Sequence, residues 1–318
     1  MEPERNDPQH QRYIGIFALV ALILMWGAVP VLLRGLTQSI DPWTANGIRY
    51  PLSAILFWPY LFFAARRSPS PDGVPTRRLS WSVVRSCMAP AFFSTGGQVF
   101  WAISFYHLQA SQVGFLVRAT TIVVIIGSVI LFADERKLLR RVRFYVGAIL
   151  ALVGFVSLAL TNESVVGEAN VQGLLIMLCC SLLFGAYIVS IRKCVPHVHP
   201  TLAFAVVCQL CSIVVGAVMF VQGDYEVIWS LSGREWTMLV TSSILGIGLG
   251  HIMLYTAIVR LGASVTTTCQ SAMPFVTAAI ASIALGETLT AQQWGAGVVI
   301  VIGALVLLSV KLQITTAK

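Results

Sequence analysis

The sequence predicts an all-α polytopic membrane protein with ten transmembrane helices in a 5+5 inverted repeat. Three observations support this prediction: an apolar composition, the placement of the basic residues, and an internal repeat. Of the 318 residues, 57% are hydrophobic and only 11% are charged, and the mean hydropathy is +0.82. Soluble domains have about 45–50% apolar and about 25% charged residues. The composition therefore excludes a soluble enzyme, a disordered chain and a nucleic-acid-binding protein.

Ten apolar stretches follow one another along the chain, and each is long enough to cross a bilayer as a helix of about 20 residues. Their approximate bounds are Ile14–Leu33, Thr44–Ala65, Val83–His107, Gln112–Phe132, Val142–Leu160, Val171–Ile191, Pro200–Gln222, Glu235–Val259, Ala263–Leu285 and Ala291–Leu312. Near the end of the chain, Gly286 is expected to close the ninth helix. Thr290 and Gln293 have the spacing of a capping box that opens the tenth.

The basic residues predict the orientation of these helices. If the N-terminus is inside, 17 of the 21 Lys and Arg residues lie in cytoplasmic segments. The exceptions are Arg34 and Arg234 outside, and Arg49 and Arg118 within spans. This positive-inside bias predicts an even number of spans with both termini in the cytoplasm. The linker 66–80, rich in Pro, Ser and Arg, is expected to be a mobile cytoplasmic loop.

An internal repeat divides the chain into two halves of five helices. An offset of 158 residues pairs Gly15 with Gly173, Gly27 with Gly185 and Arg34 with Arg192. Further along, an offset of 153 pairs Gly97 with Gly250, Ala110-Ser111 with Ala263-Ser264, and Asp134 with Glu287. Because five is odd, the second half must be inverted relative to the first, as in many secondary transporters. The expected organisation is a cytoplasmic tail (1–13), a first five-helix repeat (14–160), an external linker (161–170), a second repeat (171–312) and a short cytoplasmic tail (313–318).

The motifs in this pattern resemble those of the drug/metabolite transporter superfamily, specifically its EamA-type domains. The resemblance rests on Trp26-Gly27, Phe184-Gly185, Ala263-Ser264 leading to Pro274, Leu285-Gly286-Glu287-Thr288-Leu289 with Gly295 and Gly303, and Ala133-Asp134-Glu135 with Gly147 and Gly154. The first repeat departs from the pattern at Thr121, where Pro274 would predict proline. The resemblance implies a permease of the bacterial inner membrane that exports amino acids or related metabolites. Eukaryotic relatives carry nucleotide sugars or sugar phosphates.

Two arginines inside the predicted spans are the first candidate substrate-binding residues. Arg118 lies six residues into the fourth span, or about 9 Å below its outer end, and Arg49 lies at a similar depth in the second. Neither has an obvious buried carboxylate partner in the sequence. Each could clamp an anionic group with its planar guanidinium. Alternatively, each could extend to the outer headgroups or cap helix carbonyls.

Polar and aromatic residues in three other spans are the remaining candidates. Gln98 and His251 occupy equivalent positions in the repeat, and each shares a helix face with an aromatic residue, Trp101 or Tyr255. In the ninth span, Gln270 belongs to a polar stripe at helical spacing. These residues could line a substrate cavity or could join helices by hydrogen bonds.

The predicted function is secondary transport of a small metabolite such as an amino acid or another carboxylate, by alternating access. All 13 acids lie outside the predicted hydrocarbon cores, so a proton relay of carboxylates is not expected. There is no Walker-type glycine loop, so direct use of ATP is not expected. The expected partners are a small-molecule substrate and the lipid bilayer, without nucleic acid, metal or cofactor. The seven cysteines lie in or beside apolar stretches and predict core packing. The alternatives are a phosphorylated-metabolite or nucleotide-sugar exchanger, a passive channel and a membrane-embedded enzyme.

Overall fold

The chain folds into a bundle of α-helices joined mostly by short connections. The computed structural model describes residues 8–68, 75–133, 136, 140–160, 168–261 and 269–316. The helices are α1 (Pro8–Leu36), α2 (Pro42–Leu56), α3 (Trp58–Ala65), α4 (Trp81–His107), α5 (Ala110–Leu116), α6 (Thr120–Leu131), α7 (Val142–Leu160), α8 (Glu168–Cys194), α9 (Pro200–Gln222), α10 (Gly233–Ser243), α11 (Gly250–Leu261), α12 (Met273–Leu285) and α13 (Ala291–Thr316).

Within the described residues, five helical segments are long and apolar enough to cross a membrane. They are Arg12–Leu36, Ala110–Ser128, Val171–Ile191, Pro200–Gln222 and Gly233–Leu254. A sixth is obtained if α2 and α3, which meet at an angle of 48°, form one bent span. The all-helical, multi-pass class predicted from the sequence is therefore confirmed, whereas the count of ten spans stays a prediction.

The helix ends follow from local sequence chemistry. Asp41 precedes α2, and its Oδ1 accepts hydrogen bonds of 2.9 Å from the backbone N–H groups of Trp43 and Thr44. Gly286 ends α12 with φ +66°, a left-handed conformation that glycine adopts without strain. Thr290 and Gln293 form the predicted capping box, with reciprocal bonds of 2.9 and 3.2 Å. The predicted helix end at Gly286 and helix start at Thr290 are confirmed.

The packing of the helices is the same when the two halves of the chain are exchanged. α1 of the first half contacts α11 and α12, and its repeat equivalent α8 contacts α4 and α6. α2 packs against α9, the α5–α6 segment against α12, and α7 against α13. These last three pairs each join equivalent helices, as a pseudo-two-fold axis requires. The two halves therefore pack against each other through all of these helices.

Two of the repeat-paired glycines allow aromatic side chains to cross the interface between the halves. A Cβ placed on Gly250 would lie 2.1 Å from Nε1 of Trp26, and one on Gly97 would lie 2.5 Å from Cδ1 of Phe184. Both distances are shorter than van der Waals contact, so a larger residue would displace the ring. The motif pairs Trp26-Gly27 and Phe184-Gly185 thus place equivalent aromatic rings against equivalent glycines.

Part of the linker 66–80, which is predicted to be a mobile loop, makes backbone contacts with the second half, and residues 69–74 lie outside the described part of the chain. Thr76 forms a parallel bridge with the turn before α9. Its N–H donates to the carbonyl oxygen of His197 at 2.8 Å, and its own carbonyl accepts from the N–H of His199 at 2.9 Å. The second part of the linker is therefore anchored to the opposite half.

We expect Gly303→Ala to lower the thermal stability of the purified protein. A Cβ at Gly303 would lie 2.4 Å from the backbone nitrogen of Ala151, so α7 and α13 would have to move apart. Overpacking of this kind costs about 1–3 kcal/mol. The measurement is the melting temperature in detergent. Gly216→Ala is the control, because nothing lies within 4 Å of its added Cβ. An unchanged Gly303→Ala melting temperature would contradict the close α7–α13 contact.

Candidate functional site

Two helix breaks at equivalent positions of the repeat bring candidate residues of both halves together. The fourth predicted span is interrupted by a 3₁₀ turn at Val117–Ala119, between α5 and α6. The ninth has a 3₁₀ turn at Gln270–Ala272, directly before α12. The turns are related by the same offset of 153 residues. Arg118 lies in the first turn and Gln270 in the second, and α5 packs against α12.

The side chain of Arg118 is half-buried and poorly satisfied. Its Nη1 lies 3.5 Å from the carbonyl oxygen of Gln270, at the limit of a hydrogen bond. Its Nη2 lies 4.0 Å from Sδ of Met273, which is a weak acceptor. Its Nε is buried without a hydrogen-bond partner. Among the described residues, no carboxylate lies within ion-pair distance of Arg118.

Arg49 has the opposite environment. It is 1% exposed and donates hydrogen bonds from all three nitrogens of its guanidinium. Nε donates to Oγ of Ser242 at 2.9 Å, Nη1 to Oδ1 of Asn46 at 3.2 Å, and Nη2 to the carbonyl oxygen of Ser242 at 3.4 Å. The guanidinium thus joins α2 to α10 and caps a helix carbonyl, which was one of the alternatives left open by the sequence.

The polar network around Arg49 extends to α4. Nδ2 of Asn46 donates to the backbone carbonyl of Gln98 at 2.9 Å. Oγ of Ser243 donates to the carbonyl of Arg49 at 2.6 Å, and Ser53 contacts Ser243 in turn at 2.8 Å. Gln98 therefore takes part through its main chain, while its side chain is half-buried beside the network.

His251 lies next to a π-helical segment, Ile244–Leu249, that separates α10 from α11. Its Nδ1 lies 3.0 Å from the carbonyl oxygen of Ile247, to which it donates a hydrogen bond. The ring stacks on Phe204 at a centroid distance of 3.9 Å and meets Trp26 edge-on at 5.1 Å. Trp26 also donates from Nε1 to the carbonyl of Gly246 at 3.0 Å.

Trp101, another aromatic candidate, packs in a different group of side chains from Arg118. Trp101 packs edge-on against Phe105 at 5.1 Å and is tilted toward Phe184 at 6.3 Å. The side chain of Tyr255 lies outside the described residues. The structure thus brings Arg118 and Gln270 together, and it places His251 in a second group with Trp26 and Phe204.

Sequence reasoning missed several members of these groups. Met273, which lies beside Arg118, directly precedes the motif residue Pro274, and this position in the sequence is a signal that could have identified it. Trp26 was singled out as a motif residue but not as a neighbour of His251. Phe204 and Ser242 carry no signal in the sequence, because a single apolar or hydroxyl residue in a membrane helix has many structural roles.

We expect Arg49→Ala to destabilise the protein strongly and Arg118→Gln to leave its stability close to that of the parent. Removal of Arg49 leaves acceptors on Ser242 and Asn46 unsatisfied in the buried bundle, at a cost of about 1–3 kcal/mol for each group. Arg118 makes only long contacts. Melting temperatures in detergent test the difference, and an equal loss in both variants would contradict it.

Comparisons with known proteins agree with this architecture. The model of the EamA-like transporter family matches residues 13–160 and 171–309. A solved structure, described only as a crystal structure of a protein, is similar to the chain with a TM-score of 0.58 and 17% identity, covering 93% of this chain and 97% of that one. At this identity the likeness concerns the fold alone. A search of curated proteins found no match to the sequence. Because the two family matches together span most of the chain, one in each half, this protein belongs to the EamA-like transporter family.

Proposed function

We propose that this membrane transporter is a secondary exporter of a small carboxylate-bearing metabolite, such as an amino acid, with Arg118 as the residue that binds the carboxylate. The observation behind the proposal is the contrast between the two intramembrane arginines. Arg49 uses all three of its nitrogens in bonds to the protein. Arg118 has one orphaned nitrogen and two long contacts.

The chemistry of Arg118 suits a carboxylate. A guanidinium has five N–H donors and a planar fork that matches the two carboxylate oxygens. A buried donor without a partner has a free-energy cost that a bound anion would remove. A bound carboxylate can replace the long contacts to Gln270 and Met273 with shorter, charge-assisted hydrogen bonds. Losing those two long contacts costs little free energy.

The position of Arg118 suits alternating access. The residue belongs to the first half of the chain, while its two neighbours Gln270 and Met273 belong to the second. A ligand bound here would touch both halves at the breaks of two helices, which is where many transporters with inverted repeats bind substrate. Rocking of one half against the other would then expose the same group to either side of the membrane.

The alternatives fit the described residues less well. A sugar phosphate or nucleotide sugar carries more negative charge than the single guanidinium of Arg118 neutralises. Arg49 does not serve as a second cation there, because it donates to Ser242 of α10. For energy coupling, we propose exchange or a substrate gradient, with His251 as the candidate for proton coupling. His251 is the group near the centre of the predicted spans that titrates near neutral pH in its unperturbed form.

The test is counterflow of labelled neutral amino acids into proteoliposomes. We expect the parent to accumulate label and Arg118→Gln to show an apparent affinity about 10- to 100-fold weaker, from the loss of charge-assisted hydrogen bonds. Arg118→Lys keeps the charge without the fork and is expected to fall between them. Arg85→Gln is the matched control, because it removes an exposed arginine from the end of α4 that the basic residues assign to the cytoplasm.

Each outcome of this experiment decides a part of the proposal. Equal flux in the parent and Arg118→Gln would make Arg118 structural and leave Gln98 and His251 as the candidate site. An absence of flux in every variant would remove neutral amino acids as substrates. Melting temperatures are recorded in parallel, so that a loss of transport is compared only among folded proteins.

A further inference from the structure

Glu287 lies just beyond α12, at the end of the bundle that the basic residues assign to the outside. The left-handed turn at Gly286 ends α12, and Glu287 is the next residue. Its side chain is only 8% exposed, which is unusual for a carboxylate. Such burial requires partners, and the partners of Glu287 come from the opposite half of the chain.

The carboxylate of Glu287 satisfies the start of the helical segment that carries Arg118. Oε1 accepts from the N–H of Ala110 at 3.1 Å, and Oε2 accepts from the N–H and Oγ of Ser111 at 3.3 and 3.2 Å. These N–H groups have no partner within their own helix, and the helix dipole adds positive charge there. Eight residues, or about 12 Å of helix, separate Ala110 from Arg118.

Arg34 holds the carboxylate in place and adds two further helices to the contact. Its Nε lies 3.7 Å from Oε1 of Glu287. It also donates from Nη1 to the backbone carbonyl of Phe105, near the end of α4. Three helices of the first half, α1, α4 and α5, are thus tied to one carboxylate of the second half. We call this contact of Arg34, Glu287, Ala110 and Ser111 the external clasp.

A dry cluster lies beneath the external clasp. The cluster includes seven residues of α1, α5, α8 and the C-terminal end of α4 that are each at most 5% exposed: Leu33, Phe105, Leu108, Val113, Leu116, Met177 and Cys180. Further members, such as Ala278 and Ile300, come from α12 and α13 of the second half. Water and substrate cannot cross such a packed layer. An external pathway to Arg118 therefore requires α5 to move away from the second half, which breaks the hydrogen bonds of Glu287.

We propose that Glu287 is a positioning residue of the transport cycle, which with Arg34 holds the external end of the Arg118-bearing helix closed and releases it when the external side opens. This inference rests on the proposed alternating-access function. Charge-assisted bonds across the halves stabilise the externally closed state selectively, because they exist only while α5 is docked. Loss of the carboxylate charge shifts the population toward the externally open state.

The test uses Cys180 as a native reporter of the dry cluster and needs no substrate. Intact cells are treated with a membrane-impermeant sulfonated maleimide, and modification of each native cysteine is measured by peptide mass spectrometry. For Glu287→Gln and Arg34→Gln we expect modification of Cys180 to rise about tenfold, as the loss of a charge-assisted bond allows. Cys208 and Cys211, buried in a different cluster, are expected to stay unmodified.

Two control variants test whether the response of Cys180 is specific to the charged contact between the two halves. Arg34→Lys keeps the positive charge and is expected to stay near the level of the parent. Glu235→Gln removes a carboxylate that also caps a helix start, since Glu235 accepts from the N–H of Ser232 at 2.7 Å. That contact lies within one half, so the modification of Cys180 is expected to remain that of the parent.

Two results would overturn the proposal. Parent-level modification of Cys180 in Glu287→Gln would mean that the external clasp does not hold the external side closed. A parallel rise at Cys180, Cys208 and Cys211 would mean that Glu287 merely stabilises the fold.

Counterflow separates this inference from the proposed substrate. A Cys180 response without amino-acid transport would support the external clasp and refute the substrate. Transport that depends on Arg118, together with an unresponsive Cys180, would refute the external clasp and support the substrate site. If both the external clasp and the substrate site are correct, Glu287→Gln is expected to lower the KM measured from outside and raise the KM measured from inside. The reason is that a larger fraction of the transporter molecules is then open to the outside.

Discussion

Polar groups inside an apolar bundle must find their partners within the chain, because lipid offers none. Several interior polar side chains of the described residues meet that constraint at places where a helix departs from regular α geometry. The π-helical segment Ile244–Leu249 accepts from Trp26 and His251 through its carbonyls, and the residues just before it bind Arg49 and Ser53. The helix breaks are thus both sources of free backbone groups and the points at which helices are joined.

The same constraint distinguishes the two arginines. A guanidinium satisfied by neighbouring helices holds the bundle together, and replacing those bonds with a ligand would cost stability. A guanidinium left with an orphaned donor gains stability when an anion arrives. Arg49 and Arg118 are similar in sequence context and predicted depth, yet they belong to these two different cases because of the helices that pack beside them.

The two halves of the chain share an architecture but have diverged in chemistry. Trp26 and Phe184 cross the interface at equivalent glycines. Only Trp26 has an N–H group, which donates to the backbone carbonyl of Gly246 in the π-helical segment. The two 3₁₀ turns occupy equivalent positions, yet Arg118 of the first corresponds to Ser271 of the second. A substrate site at only one of the two turns is therefore compatible with a symmetric scaffold. The start of α5, which leads to the turn with Arg118, is held by Glu287 of the opposite half.

The sequence by itself determined the properties that depend on local chemistry and composition. Hydropathy predicted the helical membrane class, the order of motifs predicted the family, and short-range capping predicted the ends of helices at Gly286 and Thr290. Arg118 was a candidate from the sequence because a charge in an apolar stretch is visible without a structure. Only the tertiary structure decided which arginine has all its nitrogens bonded within the protein, that Gln98 contributes its carbonyl, and that Glu287 accepts from Ala110 and Ser111. These contacts join residues far apart in the chain, so they depend on how the helices pack, which no local pattern specifies.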